Sequence, residues 1–157
     1  MSEVYTYSPQ DVKLVICGYI VEDWVRISID RNSPVFRQIR GIRGKNTRVK
    51  NRDTSAVIAL EALMVGQVND VLSEIVLQDS ILNTGRLEVG LIDTSGRSVF
   101  TTVESFVEGY PSVTFSADIE TRTWRIMCNS TDGAYVVGGN SKPITSLFDS
   151  ALELFNN

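Results

Sequence analysis

The sequence contains no histidine. That absence removes the commonest general base and the commonest metal ligand. The hydroxyl side chains therefore lack the usual activating partner, and no Ser-x-x-Lys stands in for it. Phosphate-cradling loops are missing too: the glycines at 41 and 44 and at 138 and 139 open no Gly-Lys-Ser/Thr and no strand–GxGxxG–helix pattern. We read them as turns. Two acidic pairs, Glu22-Asp23 and Asp118 with Glu120, fall short of the ligand count of a calcium loop and read as solvated turns. We therefore expect no enzyme, no cofactor and no metal site.

Cysteine is scarce. Cys17 and Cys128 lie far apart, each in an apolar, strand-like run, which predicts two buried reduced thiols and no disulfide framework. No apolar run reaches the length of a membrane span, and residues 1–10 hold no apolar core of a signal peptide. We expect synthesis in the cytoplasm and no membrane insertion. Net charge is −4 and the pI about 4.8, which argues against a dedicated nucleic-acid binder or a surface for anionic lipid. With 157 residues the chain reads as one domain.

Positive charge is present but concentrated. Seven of the 15 basic residues, Arg37, Arg40, Arg43, Lys45, Arg48, Lys50 and Arg52, fall in one stretch without an acid. The remaining 8 bases face 19 acids. Gly41, Gly44 and Asn46 supply a turn at the centre of this stretch, and residues 35–39 and 47–51 can pair across it as a long exposed hairpin. It reads as a solvated loop, as a nucleic-acid contact, or as a contact for an acidic face of another copy. Phe36 is the only aromatic available for base stacking, which weakens the second reading. A complementary acidic remainder favours the third.

Short strands fill most of the chain. An apolar run covers residues 12–18. Residues 24–30 alternate, with Val25, Ile27 and Ile29 on one side and Arg26 and Ser28 on the other. Residues 54–63 follow with a less clean alternation. Residues 86–92 and 98–107 flank the turn Asp93-Thr-Ser-Gly96. Residues 113–117 and 123–129 flank another connection, with Trp124, Ile126 and Cys128 sharing a face, and residues 134–137 form a last strand. Both tryptophans, Trp24 and Trp124, read as core or interface anchors. A helix is predicted over 69–78, with Asn69 as N-cap and Asp70 at the positive end of its dipole. A second is predicted over 143–155, where Ile144, Leu147, Phe148, Ala151, Leu152 and Phe155 form one stripe. These elements predict a mainly β fold: an antiparallel sandwich or barrel with a mid-chain helix and a C-terminal amphipathic helix.

The order of short motifs resembles that of the inner tail tube proteins of contractile-tailed bacteriophages. The motifs are Tyr7-Ser-Pro-Gln-Asp-Val12, Ile29-Asp30-Arg31, Asn51-Arg-Asp-Thr-Ser, Val68-Asn-Asp-Val-Leu-Ser-Glu-Ile75, Arg122-Thr-Trp-Arg and Tyr135-Val-Val-Gly-Gly-Asn140. The resemblance covers residues 1–140 and implies a tail-tube-like β domain there, with residues 141–157 as an extension. It implies hexameric rings stacked around a channel, with the basic hairpin bridging rings and an acidic lumen that passes DNA without specific binding. Sheath, baseplate and tail terminator proteins are the implied partners, and the virion tail the implied location. Ile144, Leu147, Phe148, Leu152 and Phe155 would meet a sheath or a neighbouring subunit. A tube-terminating or baseplate protein of the same fold is the nearest alternative; a small nucleic-acid-binding protein using the hairpin is the alternative of another class.

Overall fold

The computed structural model describes residues 7–94, 96, 98–131 and 134–139. Ten strands and one α-helix follow a short 3-10 turn at Pro9–Asp11. The strands are β1 Val12–Ile16, β2 Tyr19–Val21, β3 Trp24–Arg31, β4 Phe36–Arg40, β5 Asn46–Lys50, β6 Ala56–Leu63, β7 Leu87–Asp93, β8 Val99–Val107, β9 Thr121–Cys128 and β10 Ala134–Val136. The helix, α1, spans Val68–Leu82 between β6 and β7.

Eight strands form one antiparallel sheet in the order β2-β1-β7-β8-β9-β6-β3. Strand β8 carries two partners along one edge: its start pairs with β10 and its end with β9. The two halves of the sheet and α1 enclose a single core that includes Leu14, Ile16, Ile58, Leu60, Val68, Leu72, Val89, Trp124 and Ile126. β2 and β3 stay unpaired with each other, so among the described residues the sheet is open and the barrel alternative is not realised.

The elements mostly stand where the sequence puts them, and the departures have local causes. Strand β6 alternates strictly, with Ala56, Ile58, Leu60 and Ala62 fully buried. Its sequence hides this because Val57, Ala59 and Leu63 make the other face apolar too. In β3 a bulge between Trp24 and Arg26 shifts the register. A bulge places an extra residue in one strand, so Val25 is exposed while Trp24, Ile27 and Ile29 pack on the core. Residues 113–117, expected as a strand, form none.

Cys17 is exposed, not buried. It precedes Gly18 in a two-residue turn joining β1 and β2, and both have positive φ (49° and 84°). That is the type I′ geometry which suits the twist of a hairpin. Cys128 is buried as expected, and both thiols are free.

The helix runs longer than expected, to Leu82, and ends at Asn83 in the left-handed conformation. Asn69 is not its N-cap; Gln67 is, without a side-chain hydrogen bond. Asn69 instead lies buried inside the first turn. The expected helix over 143–155, with Ile144, Leu147, Phe148, Ala151, Leu152 and Phe155, lies outside the described residues.

Candidate assembly surfaces

All seven basic residues of the predicted contact, Arg37, Arg40, Arg43, Lys45, Arg48, Lys50 and Arg52, are exposed. Six stand on the separate two-stranded sheet of β4 and β5 and its tip, and Arg52 follows β5. None makes a salt bridge among the described residues. The tip closes through hydrogen bonds from Gly41 N–H to Lys45 C=O (2.8 Å) and from Gly44 N–H to Gly41 C=O (2.9 Å). Gly44, at φ +85°, takes the left-handed position.

Cross-strand register divides the hairpin into unlike faces, because directly opposed residues share one face. Phe36 pairs with Lys50, Gln38 with Arg48 and Arg40 with Asn46, giving a basic face. Arg37 pairs with Val49 and Ile39 with Thr47, giving a more apolar one. On the basic face the Arg48 guanidinium sits 4.2 Å from the centre of the Phe36 ring. The tip residue Ile42 is fully exposed.

A polar clamp fixes the hairpin to the end of β3. Asp53 accepts hydrogen bonds from Ser33 Oγ (3.0 Å), Ser55 N–H (3.0 Å) and Ser55 Oγ (2.6 Å). Arg31 donates to the Asp53 carbonyl (3.1 Å), and Asn32 Nδ2 to Ser55 Oγ (2.8 Å). The Ser55 and Ser33 donors hold the Asp53 carboxyl below its ordinary value. Sequence reasoning did not single out Asp53. The available signal was Asn51-Arg-Asp-Thr-Ser itself, where Asp53 N–H donates to Asn51 Oδ1, a local side-chain turn.

The opposite end of the same strands is acidic. Glu22 and Asp23 lead into β3, Asp70 sits in the first turn of α1, and Asp118 and Glu120 precede β9. Backbone bonds tie these pieces together: Leu63 N–H donates to Asp23 C=O (3.1 Å) and Met64 N–H to Glu120 C=O (3.0 Å). The Tyr19 phenol is pushed above its ordinary value, first by desolvation and then by the charges of Asp23, Glu22 and Asp70. In the sequence these acids are separate turns; the fold brings them to one end. Lys13, Arg26 and Arg122 are the bases nearby, three against five acids, so the end stays net negative.

Asn69 and Trp124 set α1 on this end. Asn69 Nδ2 donates to the carbonyls of Leu63 (2.8 Å) and Gly66 (3.0 Å), while its Oδ1 accepts from Trp124 Nε1 (2.9 Å). No group of His, Cys, Asp and Glu among the described residues could hold a metal ion. No described helix is long and apolar enough to cross a membrane.

No protein-family model matches the chain. It is 27% identical to Structural protein ORF10 of Pseudomonas phage KPP10, over 95% of this chain and 91% of that protein. Its fold is similar to a chain of the anti-feeding prophage cap, the AFP tube terminating cap, with a TM-score of 0.55, 13% identity and coverage of 83% and 91%. It is similar to a chain of the PVC sheath-tube complex of an extracellular contractile injection system in the extended state, with a TM-score of 0.57, 13% identity and coverage of 86% and 92%. A chain of the PVC sheath/tube terminator gives 0.53, 14%, and 88% and 99%. At these identities the three structures share the fold with this chain. The resemblance read from the motifs and the likeness found by comparison agree: a phage structural protein in sequence, contractile-system chains in fold.

Proposed function

We propose that the chain is a structural subunit of a contractile phage tail, forming the inner tube as stacked hexameric rings around a channel for DNA. The observation that carries this reading is charge polarity along one axis. Seven cations without a salt bridge among the described residues stand on and beside the hairpin that follows β3, and the acids of Glu22, Asp23, Asp70, Asp118 and Glu120 gather at its start. An eight-residue strand separates the two ends by about 25 Å. A subunit basic at one end and acidic at the other attracts its copies head to tail. Such a contact does not close along the axis, so it builds a filament.

The likeness to Structural protein ORF10 and to chains of contractile injection systems supports a tail role. The solved terminator and cap assemblies favour a second reading of the same class, a ring that terminates the tube. In either reading the partners are further copies of this chain, sheath, baseplate and terminator proteins, and the protein has no catalytic role. DNA would pass without specific binding, and the extension 141–157 would face sheath or a neighbouring subunit.

The test is charge reversal at the hairpin. With Arg43, Lys45 and Arg48 changed to Glu, negative-stain microscopy should show rings but no stacked tubes. Wild-type tubes should shorten as salt rises, because exposed charge pairs are screened within about 8 Å at physiological ionic strength. Tubes of normal length from the reversed variant would refute the stacking role. A wild type that forms rings but never stacks would favour the terminating ring.

A further inference from the structure

Among the described residues, 109–117, between β8 and β9, make no backbone–backbone hydrogen bond. Yet Val113-Thr-Phe-Ser116 has the composition of a strand, alternating apolar and hydroxyl side chains with β-branched and aromatic residues. Val113 is 53% and Phe115 74% exposed, and Phe115 has only the Arg122 guanidinium over its ring, 6.0 Å away. An extended stretch with free N–H and C=O groups is a template for pairing with another chain.

Among the described residues the sheet also has a free edge of matching length. β3 pairs with β6 on one side only. β2 and β10 have free edges of three residues each, and the hairpin arms β4 and β5 lie at the other end. On its inner face β3 presents Ile27 and Ile29 to an apolar cavity of about 380 Å3. The cavity is open: Val136 and Val137 on its wall are 52% and 82% exposed. A strand laid beside β3 would turn one parity of its side chains over that opening.

Position and charge agree. The segment ends at Glu120, bonded to Met64, and β3 begins beside Asp23, bonded to Leu63, so both sit at the same end of the subunit. A rotation that keeps two copies level can therefore bring the segment of one to the β3 edge of the next, a heterologous contact of the kind that closes a ring. Residues 108–120 carry three acids and no base, while β3 carries Arg26 and Arg31 against Asp30.

We infer that residues 112–116 become a strand on assembly, pairing with the free edge of β3 in a second copy, with Val113 and Phe115 covering the cavity beside Ile27 and Ile29. The inference rests on the ring reading above and names the contact that closes the ring. It is tested on the full chain by amide exchange of monomer and ring fractions, together with Val113→Pro and Thr114→Pro and the matching alanine variants. A strand paired on one side bonds every second residue, so on assembly exchange should slow about 100-fold at one alternate set, Val113 and Phe115 or Ser112, Thr114 and Ser116. Proline in that set, which removes a donor from a stretch unpaired in the monomer, should melt like the wild-type monomer but need at least about tenfold more protein to assemble than the alanine variant at the same position. Rings in which both sets exchange as fast as in the monomer, or two proline variants that both assemble like their alanine counterparts, would overturn the inference and leave the ring reading intact. A wild type that forms no rings at any concentration would remove both.

Discussion

Trp124 and Asn69 satisfy each other's polar groups in a place closed to water. Truncating Asn69→Ala leaves the Trp124 N–H unpaired in the interior, while the Leu63 carbonyl keeps Gly66 N–H (2.9 Å) and the Gly66 carbonyl keeps the Asn69 backbone N–H (3.3 Å), which alanine retains. A buried orphan group costs about 1–3 kcal/mol, so the variant should lose roughly 2 kcal/mol. For a chain of this size that lowers the melting temperature by roughly 4–8 °C in thermal unfolding followed by circular dichroism. Trp124→Phe orphans Asn69 Oδ1 and also leaves part of a buried indole's space empty, so it should cost at least as much. The thiols make a second residue-scale prediction. Burial pushes Cys128 up to about 11, while Cys17 stands exposed in a turn. A thiol reagent near pH 8 should modify Cys17 in the folded protein and Cys128 only after unfolding, since the thiolate is the reactive form. Both residues show what a sequence conceals at this scale. Trp124 was legible as an anchor from its alternation with Ile126 and Cys128. Asn69 was legible as polar and near a helix start, but not as the donor to a loop that folds back beneath it. The turn at Cys17 was masked because the apolar run continues to the cysteine without a break.

At the scale of elements, the hairpin is held by its base more than by its arms. β4 and β5 form an isolated two-stranded sheet, which is marginal alone in water, so Asp53 and its donors decide how it projects. The Asp53 carboxyl is favoured in its charged form by Ser55 and Ser33. A carboxyl lowered on folding stabilises above its unfolded value, and that contribution is lost as pH falls through the folded value. Acidification below about pH 4 should therefore lower the protection of amides at Ser55 and across the hairpin, relative to their intrinsic exchange rates at that pH, while the core sheet stays protected. Asp53→Ala should produce the same loosening at neutral pH, with little change in the melting of the core. Alternation made β3 and β9 legible, and the turns at 41–44 and 93–96 placed the hairpins β4–β5 and β7–β8. It misled at residues 113–117, where composition reports the ability to form a strand but not the presence of a partner. It also misled at Val25, because a bulge is an insertion in register that a single strand's pattern cannot reveal.

At the scale of the whole molecule, polarity is the property the sequence half disclosed. The basic cluster was contiguous and visible; its acidic counterpart is assembled from β2, α1 and the approach to β9, three regions whose nearness only the sheet order creates. If the two ends attract each other across stacked copies, the attraction must be exchangeable. Reversing Glu22, Asp23 and Asp118 to Lys should stop stacking as effectively as reversing Arg43, Lys45 and Arg48 to Glu, because either change sets like charges face to face. Mixing the two variants should restore growth as alternating stacks, because one variant is acidic at both ends and the other basic at both, so every junction between unlike rings is complementary. Combining all six reversals in one chain should restore attraction at every junction and return tubes under the microscope. A simple loss of folding or of surface hydration predicts no such recovery. Were the sixfold variant to remain as single rings, the acidic end would not be the hairpin's receptor, and the receptor would have to be sought elsewhere on the neighbouring ring.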